Sequence, residues 1–178
     1  MIMTNRRVAH DTEDKAWWVA HGESMEAPFV ALCQQKLGID AQINPAKSED
    51  PTAPDLLVSG EVADLKVQNT PFFSAGRYGL DPRFAVTLNR TDVERYTTLY
   101  PRIVIYFWVD WLQLEWRDLA VAPLRGVWRA NLAAVTAMIE LGAPEHSYVR
   151  RRDDRRGNAK SSYLLDLQEL ELVALFEA

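Results

Sequence analysis

Pro54-Asp55-Leu56-Leu57-Val58-Ser59-Gly60-Glu61-Val62-Ala63-Asp64-Leu65-Lys66 decides how this chain is read. Two short apolar runs flank Ser59-Gly60, a pair suited to a tight turn, so the stretch predicts two paired strands, Asp55 to Val58 and Glu61 to Gln68. Alternate residues of a strand share a face, so Asp64 and Lys66 point one way and Leu65 the other. Asp55 opens the first run, and two carboxylates and a lysine can therefore converge at one end of the hairpin. Hard cations such as Mg²⁺ take oxygen ligands and keep waters for a substrate, so paired carboxylates suit a site that admits phosphate. A plainer account also exists: Asp55 as turn chemistry after Pro54, and Asp64 with Lys66 as an ion pair on the wet face of a hairpin.

Upstream, residues 21–38 read as one helix, with Ser24 as N-cap, Pro28 near the first turn and Gly38 as terminator. Phe29, Leu32, Cys33 and Leu37 recur at helical spacing and predict the buried face, with Glu26 one turn before Phe29. Ile39 to Ile43 predicts a first strand and Asn44 to Thr52 a polar loop. Thr91-Asp92-Val93-Glu94 has the spacing of a capping box and predicts a helix up to Tyr100, stopped by Pro101. The unbroken apolar run Arg102 to Trp111 then predicts a strand covered on both faces. Phe84 to Leu88 is a further strand before that helix. Beyond it, Leu124 to Leu141 predicts a long amphipathic helix, Ser162 to Leu167 a strand and Gln168 to Phe176 a short helix.

Pro54-Asp55 followed by Asp64-Leu65-Lys66 resembles the signature of the PD-(D/E)xK nuclease superfamily, and the similarity covers about residues 22–111. Glu13-Asp14-Lys15 also matches the second half of that signature, but only Lys66 has a Pro-Asp pair upstream and a strand-like setting. The resemblance implies an α/β fold with a restriction-endonuclease-like αβββαβ core, a mixed central sheet flanked by helices, and a C-terminal helix-strand-helix extension on it. It implies a Mg²⁺-dependent deoxyribonuclease, with Mn²⁺ as a substitute. Asp55, Asp64 and the Leu65 carbonyl are then the expected metal ligands, and Lys66 orients the attacking water. Superfamily members commonly carry a first-helix glutamate, and Gly22 followed by Glu26 is similar to that pattern, with Glu23 as the competing choice. Gln68, continuing the alternation of Asp64 and Lys66, is a further candidate. The same core without cleavage activity would serve as a DNA-binding or protein-interaction subunit of a defence or mobile-element system.

The chain has 178 residues, 48% of them hydrophobic, which suits one domain with a substantial core. No apolar run reaches membrane-spanning length and the first fifteen residues carry charges where a signal peptide needs an apolar segment, so a cytoplasmic protein is expected. The net charge of −5 argues mildly against coating of nucleic acid by bulk electrostatics, but a negative balance does not exclude a metal-dependent nuclease. A local basic loop offers the phosphate contact instead: Arg150, Arg151, Arg152, Arg155, Arg156 and Lys160, interrupted by Asp153 and Asp154. Phe72, Phe73 and Tyr78 in the loop after Gln68 would stack a base or cap the core. DNA is the expected partner, and since one site cuts one strand, a homodimer is the default assembly for double-strand cutting. Cys33 stands alone, which excludes an internal disulfide, and the three histidines lack zinc-ligand spacing.

Overall fold

The Ser59-Gly60 turn forms as its residues dictate. Both sit at positive φ, 51° and 80°, the combination that lets a two-residue loop follow the twist of its flanking strands. In the computed structural model, which describes residues 25–147 and 161–177, this turn joins β2 (Leu56–Val58) to β3 (Glu61–Gln68). Residues 25–32 are helical and continue as a wider π-turn over Cys33–Leu37, and together they are α1. Gly38, at φ 65°, ends it and its N–H reaches the Cys33 carbonyl. The expected cap at Ser24, with Gly22 and Glu23, lies outside the described residues, as does the basic loop from Arg150 to Lys160.

Strand β1 (Ala41–Ile43) pairs with β2, and β2 with β3, all antiparallel. β4 (Ala85–Asn89) and α2 (Arg90–Leu99) then lead to β5 (Val104–Asp110), which lies parallel to β3 with Asp64 beside Ile105. This is the helix, three strands, helix, strand order expected from the sequence, with β4 inserted before the second helix. α2 starts two residues earlier than its capping box suggests, with Asn89 rather than Thr91 as N-cap, no side-chain cap, and an Arg90–Glu94 ion pair at 2.8 Å along its first turn.

The C-terminal third differs from expectation. Residues Arg125–Asn131 are a strand, β8, and only Leu132–Glu140 are helical, as α3. The break falls at Asn131, whose side chain accepts from Ala134 N at 2.8 Å and so caps the helix. After β10 (Ser161–Asp166), the expected final helix is a single 3₁₀ turn, Leu167–Glu169, followed by β11 (Glu171–Leu175). β8 pairs with β5 and β11 with β8, giving a six-stranded mixed sheet in the order β1-β2-β3-β5-β8-β11. The extension therefore completes the central sheet as well as packing on it. β6 (Glu115–Trp116) and β7 (Leu119–Ala120) form a small hairpin, and β9 (Glu145–Ser147) joins β10 and β4 in a second, three-stranded sheet.

The two faces of the central sheet bury separate cores. Ala63 and Leu65 of β3 and Tyr106 of β5 pack with Phe29 and Cys33 of α1. Ile105, Phe107 and Val109 of β5 face the opposite way, towards Tyr96 of α2, Val135 of α3 and Val86 and Leu88 of β4. Period-two alternation on β3 thus places Asp64, Lys66 and Gln68 on the α2 side of the sheet. Among the described residues no helix is long and apolar enough to cross a membrane.

Candidate active site

The site begins where β2 and β3 part. Pairing stops at Leu56 opposite Ala63, while β3 runs on to Gln68. Carrying the register one residue further sets Asp55 across from Asp64. Beyond the last pair, the Leu65 N–H has no strand partner on that edge and donates to Asp55 Oδ2 at 3.1 Å. A backbone amide left over by the strand opening thereby fixes the first of the predicted carboxylates.

The other oxygen, Asp55 Oδ1, accepts from the Lys47 ammonium at 2.6 Å. Lys47 also bonds Glu26 Oε1 from α1, so Glu26 and Asp55 share one cation. Glu26 is buried, with 6% of its surface exposed. Burial raises its pKa, the Lys47 ammonium lowers it, and the repulsion from Asp55 adds to the rise, which prevails. For Lys47 burial acts against the charge, but its hydrogen bonds to Asp55 and Glu26 outweigh it and the pKa is raised. Lys47 comes from the 3₁₀ turn Pro45–Ser48, inside the stretch expected to be a plain polar loop, and nothing in its local sequence singles it out.

The second half of the site lies on the α2 side. Asp64 is 3% exposed, and its Oδ2 lies 2.8 Å from Lys66 Nζ. That contact is an ion pair without hydrogen-bond geometry, and Oδ2 has no hydrogen-bond partner. Lys66 donates instead to Asp92 Oδ2 at 2.7 Å, and its ammonium stands 5.8 Å from the centre of the Tyr96 ring. Arg95 completes the group, 3.3 Å from Asp92 Oδ1 and 5.1 Å from the Tyr96 ring centre. Burial works against the Lys66 charge, but Asp64, Tyr96 and Asp92 together hold its pKa well above the ordinary lysine range. Lys66 is thus an ammonium at neutral pH: it can hold negative charge or orient a water, but it has no lone pair with which to take a proton. Burial likewise raises the Asp64 pKa, and the Lys66 charge with the Tyr96 hydroxyl more than offsets it, so Asp64 is ionised.

The structure therefore brings Glu26 to Asp55 and Asp64 to Lys66, and links the two pairs through Leu65, whose side chain lies in the α1 core and whose N–H holds Asp55. Gln68 lies on the Asp64 face, but its amide donates to Thr87 O at 2.8 Å and accepts from Thr87 N at 3.2 Å, tying β3 to β4. Of the aromatic loop, Phe73 is buried in the core, and Phe72 and Tyr78 cluster with His146, whose Nδ1 lies 2.7 Å from the Tyr78 hydroxyl. Sequence reasoning missed Lys47, Asp92, Tyr96 and Arg95. Asp92 was legible only as a helix-start residue; its facing of Lys66 depends on how α2 docks.

No three histidine, cysteine, aspartate or glutamate side chains among the described residues form a ready metal-ligand set. Magnesium does not require one, because it is commonly held by one or two carboxylates with waters and substrate phosphate. Glu26 and Asp55 already share the Lys47 ammonium, and buried Asp64 Oδ2 is ion-paired to Lys66 at 2.8 Å. Carboxylate oxygens are the donor type a hard divalent ion takes, and here each faces a lysine ammonium.

No protein-family model matches the chain, and neither does any curated protein sequence. Among solved structures, a nuclease from a fusselovirus is similar over 93% of this chain and 90% of its own, with 10% sequence identity and a TM-score of 0.42.

Proposed function

We propose that this protein is a metal-dependent nuclease that hydrolyses DNA phosphodiester bonds at the opening between β2 and β3. The observation that supports it is the anchoring of Asp55 on the Leu65 amide, which seats one carboxylate beside Glu26 and next to the Asp64–Lys66 pair. Glu26, Asp55 and Asp64, with the Leu65 carbonyl, would hold Mg²⁺ or Mn²⁺. The bound ion would polarise a water and neutralise charge at phosphorus.

The protein's own groups do the remaining work. The Lys66 ammonium, fixed between Asp64 and Asp92, presents N–H donors that orient the attacking water and hold the charge that develops on phosphoryl oxygen. Asp92 acts through Lys66 as a positioning residue. Gln68 keeps β4 against β3 and so holds the Asp64 face in place. The basic residues Arg150, Arg151, Arg152, Arg155, Arg156 and Lys160 would contact the phosphate backbone.

The test is cleavage of supercoiled plasmid, linear duplex, single strands and a four-way junction with Mg²⁺ or Mn²⁺, beside EDTA controls and Asp64→Asn and Asp55→Asn proteins. Cutting that requires the cation and is lost in both variants is the expected outcome. Full activity in both variants would sink the assignment. One observation favours the other reading, a non-catalytic DNA-binding or protein-interaction subunit: a lysine ammonium already occupies the space between Glu26 and Asp55. Duplex binding with no cutting under any cation would support it.

A further inference from the structure

If Glu26, Asp55 and Asp64 form a cation site, the Lys47 ammonium stands where a cation would go. Its placement is built into the fold. Asn44, 8% exposed, opens the Lys47 turn with its side chain accepting from Ala46 N at 3.1 Å. The same side chain donates to Pro54 O at 2.9 Å, and Asn44 N donates to Asp55 O at 2.9 Å. These bonds fasten the Lys47 turn to the backbone that carries Asp55, so lysine and carboxylate are presented from one clamped unit. Glu26 meets them from α1, a separate element, across 21 residues of sequence.

Two poorly solvated carboxylates cannot stay ionised side by side without a compensating cation. The Lys47 side chain is 17% exposed and that of Glu26 8%, so water supplies little of this compensation. A hard divalent ion would compete with the ammonium for Glu26 Oε1 and Asp55 Oδ1, the oxygens it now holds. Asp64 Oδ2 is a further buried oxygen, one that Lys47 does not engage.

We propose that Lys47 is an exchangeable occupant of the Glu26–Asp55 cation position: its ammonium offsets one of the pair's two charges in the metal-free protein, and a divalent cation binds by displacing it. This rests on the metal-site reading above and adds a regulatory step to it. Metal affinity is set below what the carboxylates alone would give. The displaced ammonium stays tethered beside the site as a donor for a phosphate oxygen.

Calorimetric titration with Mn²⁺ compares the wild type with Lys47→Met. The variant should bind Mn²⁺ at least about tenfold more tightly, because a site open a tenth of the time or less loses apparent affinity in that proportion. In EDTA the variant should unfold at lower temperature than the wild type, and saturating Mn²⁺ should remove the difference. A folded variant with unchanged or weaker Mn²⁺ affinity overturns the proposal. Wild-type protein provides a second test that needs no folded variant: acetylation by an N-hydroxysuccinimide ester, read by mass spectrometry against exposed Lys36. Lys47 should be protected in EDTA and react several-fold faster with Mn²⁺; an equal rate overturns the proposal. Wild type that binds no Mn²⁺ removes the metal-site reading and this inference together. Wild type that binds Mn²⁺ and cuts DNA, with Lys47 reactivity unmoved, removes this inference alone.

Discussion

Replacing Lys66 by methionine tests the electrostatic frame of the site while leaving its oxygens in place. The Lys66 ammonium lies 2.8 Å from Asp64 and 2.7 Å from Asp92, whose side chains are 4% and 15% exposed. Methionine keeps the length and leaves two ionised carboxylates with little water. Removing one partner of a buried ion pair costs roughly 3–5 kcal/mol. The lower end applies, because Lys66 itself is 22% exposed and Arg95 still faces Asp92 at 3.3 Å. Lys66→Met should therefore lose about 3 kcal/mol at neutral pH, which for a chain of this length is a fall of about 6–12 °C in Tm.

The pH dependence identifies the cause. In the wild type the Asp64 pKa is below the ordinary 3.8, so Asp64 contributes stability above that range and loses it as pH falls through its folded pKa. Without Lys66, burial dominates and the sign reverses: the Asp64 pKa rises above the unfolded value, and the variant gains relative stability as pH falls. The deficit should be largest at neutral pH and narrow in mildly acidic buffer, and Asp64→Asn in the Lys66→Met background should recover at least half of it. Urea unfolding followed by tryptophan fluorescence measures all of this. A Lys66→Met protein within about 0.5 kcal/mol of wild type, the range of an ordinary surface substitution, would refute the argument. So would a deficit constant with pH, which would point to lost packing. The size of the effect also makes Asp64→Asn, which keeps shape and leaves Lys66 on Asp92, the safer variant for cleavage assays.

Phe29 is fully buried, its ring centre 5.6 Å from those of Tyr106 and Trp108, so Phe29→Ala should cost about 3–5 kcal/mol in chemical unfolding. A loss under about 1 kcal/mol would contradict the packing of α1 on the sheet. A Cβ on Gly126 would stand 2.5 Å from Ala174 O and 2.9 Å from the Trp128 ring. Gly126→Ala should therefore destabilise by roughly 1–3 kcal/mol, and an unchanged Tm would argue against the β8–β11 pairing. Burial pushes the Cys33 thiol up to about 11. At pH 8 only about a thousandth of it is then thiolate, so native protein should react with Ellman's reagent far more slowly than urea-unfolded protein. Equal rates would place Cys33 outside the core.

The hairpin and its flanking elements were legible because each carries a strong local signal. Ser59-Gly60 allows the two positive φ values of its turn, Pro101 bounds the apolar run of β5, and Gly38 stops α1. The C-terminal third misled for a physical reason. In Arg125-Gly126-Val127-Trp128 the last three residues are all buried, so strand alternation is blurred. Leu124, Trp128 and Leu132 then fall four apart across a strand–helix junction and imitate one helical stripe. Asn131, the cap, was the available signal. Residues 168–176 combine helix-forming Glu, Leu and Ala with an alternation of Glu169, Glu171 and apolar partners, and pairing with β8 decides for the strand. Of the site, the positions on β3 follow from period two alone. Lys47 does not, because a lysine in a polar turn reads the same whether it meets solvent or two carboxylates from elements 8 and 21 residues away.

The charges gathered here bear on the order in which a cation and a phosphate can enter. Glu26, Asp55, Asp64 and Asp92 meet Lys47, Lys66 and Arg95 at ion-pair distance, leaving one negative charge in excess. The chain around them is itself negative, at −5. A phosphodiester arriving at this site is repelled, and at the short range of a poorly solvated cleft salt screens that repulsion weakly. A divalent ion would reverse the local sign, whether or not Lys47 leaves the carboxylates, because a displaced lysine stays tethered and keeps its charge. On the proposed reading the cation must therefore be in place before the phosphate. Lys66, held protonated throughout by Asp64 and Asp92, then has the one task its chemistry permits, which is to hold negative charge.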